Sequence, residues 1–491
     1  MTVVPEWLRQ RAILSPDRLA LDDGAERLTY RELDDRVTFI ARRLVSLGIE
    51  RGVRVALLMR NSAAYAIYVH ATRRIGAVLI PLNTRLAPIE LAWQVRDSGA
   101  AVLLYDSANA ALIPELFIPE CDAAWIDEIP DRDPVDIPFE QGLDMDAVSL
   151  IVYTSGTTGT PKGAMLTYGN FCWNAIGSAL NLGTREDDVW LACLPLFHVG
   201  GLSILFRAII YGAPVIIHER FEPAAVNRAI MSQGVTVISV VAAMLQRMID
   251  AQGKKRYAPT LRCVLLGGGP APRPLLEACA ARKIPVVQTY GLTETASQIV
   301  TLAPGDALRK LGSAGKPLFP NAVRIVPDVH ASDGAGEIAV QGPSVFTGYL
   351  NRPEETAAVV RDGWLLTGDV GRIDEEGYLY VLDRRNDLIV SGGENVYPAE
   401  VEAALLAHPA IAEAGVFGMP DERWGQVPAA LVVGRPGMSV EEAELRAFCA
   451  ERLARYKVPA RIFFLESPLP RNASGKLLRR ELPAQLDDSP A

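Results

Sequence analysis

Residues 153–163 read Tyr-Thr-Ser-Gly-Thr-Thr-Gly-Thr-Pro-Lys-Gly, directly after the apolar run Leu150–Val152. Hydroxyls and glycine N–H groups donate hydrogen bonds without bulk. Thr154, Ser155, Gly156, Thr157, Thr158 and Lys162 therefore make a loop able to wrap an oligophosphate. The string is not a Walker A loop, because, counted from Gly156, Pro161 stands where that motif has its second glycine and Gly163 stands where Ser or Thr is needed. Gly/Ser/Thr richness alone would also fit a plain surface loop; the ordered string is what distinguishes the two.

Further groups along the chain carry matching chemistry. Gly267, Gly268 and Gly269 follow Leu265-Leu266, where a flat base can lie against bare backbone. Tyr290-Gly291-Leu292-Thr293-Glu294 offers an aromatic face, a hydroxyl and a carboxylate, and Thr367-Gly368-Asp369 an acid able to hold ribose hydroxyls. Asp383-Arg384 precedes a polar stretch, and Pro470-Arg471-Asn472-Ala473-Ser474-Gly475-Lys476 lies near the C-terminus. Taken singly, each reads equally well as a turn. Their order carries the signal.

The intervening pattern says what must position these groups. Thr29-x-x-Glu32 is a capping box, followed by Leu33, Val37, Ile40, Ala41 and Leu44 at helical spacing. Apolar strands near 53–58, 78–82 and 101–105 alternate with amphipathic helices, and the alternation resumes after the loop with strands near 189–194, 214–218, 235–241, 261–266 and 286–290. Such alternation predicts crossover units and mostly parallel sheets. From Gly312 to Arg384, short strands separated by Asp333-Gly334, Asp362-Gly363 and Glu376-Gly377 predict a small β-barrel. A compact α+β unit follows, with a helix expected behind a second box, Ser439-x-x-Glu442.

A chain of 491 residues exceeds one ordinary core, so two or more domains are expected. The balance of 49 basic against 58 acidic side chains, net charge -9, argues against a nucleic-acid partner. Six scattered cysteines without a C-x-x-C pair read as buried free thiols in a reducing compartment. Glu6, Arg9 and Arg11 leave no signal-peptide core, and Arg207, Gly212 and Pro214 interrupt the most apolar stretch, Val199 to Ile217. The expectation is a cytoplasmic protein without a membrane span. Monomer and homodimer both stay open.

In this order the motifs resemble the adenylate-forming superfamily of acyl-CoA synthetases, amino-acid adenylation domains and beetle luciferases, over essentially the whole chain. The resemblance implies an α/β fold. A large N-terminal domain, residues 1–385, would contain two α/β layers and the small barrel; a smaller mobile α+β domain, residues 386–491, would follow. It implies two steps: ATP, with Mg²⁺, and a small-molecule carboxylate give an acyl-adenylate and pyrophosphate, then CoA takes the acyl group and AMP leaves. By resemblance Lys476 bridges the carboxylate and α-phosphate, loop 154–163 holds the β- and γ-phosphates, Thr293 bonds the α-phosphate and Glu294 supports the metal. Gly267, Gly268 and Gly269 with Tyr290 and Gly291 would enclose adenine, and Asp369 and Arg384 would hold the ribose. Asn386 takes the hinge position, where many relatives have Asp or Lys, and Gly392 with Gly393 would line the CoA tunnel. Lys476 has a rival reading as part of a basic tail with Arg479 and Arg480, and Gly393 one as a tight turn.

The acid-pocket stretches are similar to the o-succinylbenzoate–CoA ligases of menaquinone synthesis. They are Ser178–Gly183, Leu194–His198, Gly267–Pro272, Thr293–Leu302 and Lys310–Leu318. That substrate carries a second carboxylate on its ring, which needs a cation or dense hydrogen bonding once desolvated. Arg207, lone in an apolar helix stretch, is the candidate cation; a structural salt bridge or a snorkelling stem is the plain alternative. His198 reads as a gate or pocket wall, or as a core histidine. Ser297, Gln298 and Thr301, with Gly269, complete the candidate pocket. Another aryl- or short/medium-chain acyl-CoA ligase is the chief alternative. A stand-alone amino-acid adenylation enzyme would usually carry an aspartate just after the aromatic in the stretch aligned with Phe197-His198, where this chain has no acid before Glu219, and a nucleotide-binding pseudo-enzyme would not need Lys476, Glu294 and Asp369 together.

Overall fold

Alternating apolar strands and capped helices build most of the chain. The computed structural model describes all residues except 1, 137–141, 155–159, 269–270, 272, 307–308, 311, 328–335, 384–388, 397, 471–476, 478 and 487–491. The chain divides into two compact units. One comprises Met1–Thr84, Val95–Val152 and Gly163–Leu382; the other comprises Arg85–Gln94, Tyr153–Lys162 and Asp383–Ala491. The expected junction after residue 385 falls among residues outside the described set, and the sequence did not indicate that 85–94 and 153–162 group with the C-terminal part.

In the first unit a seven-stranded sheet runs Gly348–Tyr349, Lys162–Thr167, Val148–Thr154, Val78–Pro81, Arg54–Leu58, Val102–Tyr105, Asp122–Trp125. A nine-stranded sheet runs Lys316–Pro317, Ser297–Thr301, Val286–Leu292, Cys263–Leu266, Val237–Val240, Trp190–Ala192, Val215–Ile217, Leu19–Asp22, Arg27–Thr29. Their central strands pair in parallel. They are buried along their length, as continuous apolar runs covered on both faces must be. The Thr29–Glu32 box forms and starts the helix Tyr30–Val45. This helix, with Ala63–Ile75, Tyr168–Leu182 and Val199–Tyr211, joins inward residues of both sheets in one core that includes Leu57, Leu79, Trp190 and Val215. Each fully buried Leu or Ile there contributes roughly 1.5–3 kcal/mol.

The region expected as a small barrel forms a five-stranded antiparallel sheet, with Trp364–Ile373 between Gly336–Gln341 and Val360–Arg361 and also paired with Leu379–Asp383. Asp362 and Gly363, both at positive φ, make the expected turn; Asp333-Gly334 lies outside the described residues.

The second unit is α+β. Its sheet runs Glu394–Val396, Ile389–Ser391, Gly425–Gly434, Ile411–Asp421, and Arg461–Leu465 pairs in parallel with Gly425–Gly434. The expected Ser439–Glu442 box does not form. The helix instead starts at Glu442 behind Glu441, and the Glu442 carboxylate accepts from the Ile462 N–H at 3.1 Å, so tertiary pairing displaces the local cap. All six cysteines are free, five buried and Cys172 half-buried. Among the described residues no helix is long and apolar enough to cross a membrane.

Candidate functional site

The loop read above as an oligophosphate cradle joins two strands: Thr154 ends Val148–Thr154 and Lys162 opens Lys162–Thr167. Ser155, Gly156, Thr157 and Thr158 lie outside the described residues, as do Gly269, Arg384, Asn386 and Lys476. Gly267 and Gly268 stand at the end of the strand Cys263–Leu266, and the Gly267 N–H donates to the Val240 carbonyl at 3.1 Å.

The strand Val286–Leu292 delivers Tyr290 and Gly291, then bends through the turn Thr293–Thr295 into Ser297–Thr301, with which it pairs antiparallel. Gly291 is required by this fold-back, since a Cβ there would sit 1.8 Å from the Ser297 carbonyl oxygen. The buried Thr295 hydroxyl accepts from the Leu292 N–H at 2.9 Å and donates to the Ser297 carbonyl at 2.8 Å. Ala296 and Ser297 then take φ values of 53° and 117°, an uncommon conformation for residues with side chains. Strain of this kind persists only where the surroundings hold it.

Glu294 and Asp369 are each fixed by a tyrosine. Tyr349 Oη donates to Glu294 Oε1 at 2.7 Å, and the Phe346 N–H donates to the Glu294 carbonyl at 2.8 Å. Tyr290 Oη donates to Asp369 Oδ2 at 2.7 Å, both side chains being buried. The aromatic face and the acid read separately in the sequence are thus one hydrogen-bonded pair. The Thr367 hydroxyl donates to the Ile338 carbonyl and accepts from the Asp369 N–H, holding the Thr-Gly-Asp turn.

His198 is the half-buried N-cap residue of the helix Val199–Tyr211, its ring 4.6 Å from that of Phe197. Arg207, on the same helix, is 2% exposed. Its Nη2 donates to Asn174 Oδ1 at 2.5 Å, while its Nε–H finds no partner among the described residues. No carboxylate is paired with it there, and burial pushes its pKa down. A structural salt bridge and a stem reaching water are both excluded among the described residues. Placing an unneutralised guanidinium in the interior costs several kcal/mol, a cost folding alone does not explain.

Gln298 and Thr301 are buried and bonded to protein: Gln298 Nε2 donates to Ser178 Oγ at 2.6 Å, and Thr301 Oγ1 lies 3.1 Å from Gln298 Oε1 and 3.0 Å from Thr289 Oγ1. Ser297 is half-buried. The structure also adds residues that sequence reasoning missed. Asn174 donates through Nδ2 to the carbonyls of Thr295 and Gln298, at 3.2 and 2.7 Å. The available signal was the four-residue spacing of Asn170, Asn174 and Ser178, a polar stripe on a helix otherwise rich in apolar residues. Tyr349 had no such signal.

In the second unit Gly392 and Gly393 form the two-residue turn between Ile389–Ser391 and Glu394–Val396, with φ values of 58° and 89°. Positive φ at both positions favours glycine in each, and at Gly392 a Cβ would lie 2.5 Å from the Trp424 ring. Arg85 pairs with Glu394, and Lys457 donates to Glu90 and Glu400 at 2.8 and 2.6 Å. Arg479, three residues past Lys476 in sequence, donates twice to the Glu402 carboxylate at 2.7 Å, and Leu482 is fully buried beside Phe417 and Leu469. The tail on the far side of Lys476 is therefore anchored.

Residues 8–350 match the AMP-binding enzyme family, and residues 400–476 the AMP-binding enzyme C-terminal domain. The chain is 54% identical over 484 residues to a 2-succinylbenzoate–CoA ligase of Geobacillus kaustophilus (strain HTA426), covering 98% of each. It is similar, at 46% identity over 98% of both chains, to o-succinylbenzoate CoA synthetase from Bacillus subtilis. The TM-score is 0.93 to a double mutant of that enzyme bound with its product analogue OSB-NCoA, and 0.76 to its complex with the acyl-adenylate intermediate OSB-AMP. Its complex with ATP and magnesium ion gives 0.77, at 46% identity over 98% of this chain and 100% of that one. With matches reaching from residue 8 to residue 476 and a relative more than half identical along nearly the whole length, the chain belongs to the AMP-binding enzyme family.

Proposed function

We propose that this protein joins 2-succinylbenzoate to CoA at the expense of ATP, through a 2-succinylbenzoyl-adenylate, releasing pyrophosphate and then AMP. The observation that carries the choice of acid is Arg207, a buried guanidinium with an unpaired Nε–H and no carboxylate among its described neighbours. The ring carboxylate of the substrate supplies the missing anion, and a charge-assisted hydrogen bond in a dry pocket returns part of the desolvation cost.

The chemistry assigns the remaining parts. A carboxylate and a triphosphate repel each other, so attack on the α-phosphorus needs positive charge where they meet. Lys476 supplies it. Thr293 donates to the α-phosphate, the loop from Thr154 to Lys162 holds the β- and γ-phosphates, and Asp369, oriented by Tyr290, takes the ribose hydroxyls with Arg384. Gly267, Gly268 and Gly269 with Tyr290 and Gly291 enclose adenine, and His198 with Ser297 walls the acid pocket. Gln298 and Thr301 support that wall through each other rather than through free polar groups.

Glu294 suits magnesium. It is a hard oxygen donor steadied by Tyr349, and among the described residues no group of three or more His, Cys, Asp or Glu forms a closed metal cage. Phosphate oxygens and water would complete the shell, as Mg²⁺ prefers. When bound, the ion neutralises phosphate charge and stabilises the leaving pyrophosphate. For the second step, Gly393 of the hairpin provides side-chain-free backbone beside which a pantetheine arm can pass, with Gly392 packed on the Trp424 ring and Asn386 at the hinge.

A panel of acids assayed for AMP release with and without CoA tests the assignment. 2-Succinylbenzoate should give the highest CoA-dependent rate; benzoate or a medium-chain fatty acid ranking first would replace it with another acyl-CoA ligase activity. A separate expectation concerns the tail anchor. Glu402→Gln, which weakens the two-point grip on Arg479, should slow adenylate formation about tenfold. Transfer from supplied acyl-adenylate to CoA should stay within about twofold in the same protein. Equal loss in both half-reactions would show that the pair only stabilises the fold.

A further inference from the structure

The helix Tyr168–Leu182 lays a polar stripe against the segment before Phe346 and against the turn and strand that run from Thr293 to Thr301. Asn170 Nδ2 donates to the carbonyls of Pro343 and Val345, each at 2.8 Å; Asn174 donates to those of Thr295 and Gln298; Ser178 takes the Gln298 amide. Of the three, only Asn174 also touches a cation. Its Oδ1 accepts from Arg207 Nη2 while its Nδ2 serves the turn that follows Glu294, and it is itself 2% exposed.

The side-chain type matters here. An aspartate at this place would pair with Arg207 more strongly and cancel its charge, leaving nothing for a ligand anion. It would also lose both donors and set a carboxylate against two carbonyl oxygens. An alanine would leave the guanidinium without its one described partner. An amide alone accepts from the arginine without neutralising it and donates to the backbone on its other side.

We infer that Asn174 is the positioning residue that sets selectivity for an acid bearing a second carboxylate: it holds Arg207 charged, with its Nε–H unspent, and ties that cation to the backbone turn bearing Thr293 and Glu294. Asn174 does not touch the reacting atoms; it acts through Arg207. This inference rests on the substrate reading above and extends it to a residue outside the motifs. Recognition of the ring carboxylate and the geometry of the phosphate-side turn are thereby joined through one side chain.

The test compares 2-succinylbenzoate with 4-oxo-4-phenylbutanoate, the same molecule without its ring carboxylate, using kcat/KM for CoA-dependent AMP release by the full-length protein. The wild type should prefer the dicarboxylate by about a hundredfold, the scale of one charge-assisted contact in a dry site. Asn174→Asp should cut that preference at least about tenfold, chiefly through the KM for 2-succinylbenzoate, with the KM for ATP within about twofold. Should the aspartate variant fail to fold, Asn174→Ala reads the same ratio without adding a charge. In an Arg207→Leu background, Asn174→Ala should leave the ratio unchanged, because the residue through which it acts is gone. A wild-type preference that survives both substitutions at position 174, or an equal fall for both acids, overturns the inference while leaving the substrate reading intact. A wild type indifferent to the ring carboxylate overturns both.

Discussion

Lys476→Ala should lose acyl-adenylate formation by about a thousandfold or more, while the same protein still converts a supplied acyl-adenylate and CoA into thioester and AMP. The split follows from charge. Only the first step brings two anions into contact, so only that step needs a cation where the carboxylate oxygen meets the α-phosphate. In the second step the attacked carbonyl already carries a good leaving group. The reading of Lys476 rests on the frame Pro470-x-x-x-x-Gly475 and on the anchored tail beyond it, where Arg479 grips Glu402 and Leu482 is buried. A member of a merely basic tail would show little loss in either step. A structural lysine would lose both equally. Stopped assays of each half-reaction, one with labelled ATP and one with synthetic adenylate, separate these outcomes.

Arg207→Leu should raise the KM for 2-succinylbenzoate about 10–100-fold, with the KM for ATP little changed, because one charge-assisted hydrogen bond to a carboxylate is worth roughly 1.5–3 kcal/mol. Thermal stability should move the other way or stay level. Replacing a buried charge by a hydrophobe of similar volume is often neutral or stabilising by about 1–4 kcal/mol. The loss to be set against that is the Arg207–Asn174 hydrogen bond. Weaker acid binding in a protein of equal or higher Tm is the signature of a residue kept for its ligand. A lower Tm with unchanged KM would instead mark Arg207 as structural.

The two α/β sheets and the helices between their strands were legible because their signals are local. Buried parallel strands are continuous apolar runs, and the Thr29–Glu32 box starts a helix from within its own segment. Ser439-x-x-Glu442 has the same local pattern and failed, since the Glu442 carboxylate found the Ile462 N–H across the unit. The two short strands Leu19–Asp22 and Arg27–Thr29 join the nine-stranded sheet through a neighbour, Val215–Ile217, nearly two hundred residues away, which no window of sequence displays.

The site divides in the same manner. Glycines, hydroxyls and acids at strand ends announce themselves by type and order. Their supports do not: Tyr349 on Glu294, Tyr290 on Asp369 and Asn174 on Arg207 are contacts between segments 33 to 79 residues apart. Gln298 and Thr301 read as free polar groups in sequence because their partners, Ser178 and each other, become visible only when helix and strand are packed.

ATP–pyrophosphate exchange with the purified protein reads acyl-adenylate formation alone. In the presence of magnesium and without CoA, 2-succinylbenzoate should drive labelled pyrophosphate into ATP, and omission of the acid should abolish the exchange. No exchange with 2-succinylbenzoate or with any acid of a broad panel would contradict the account at its root.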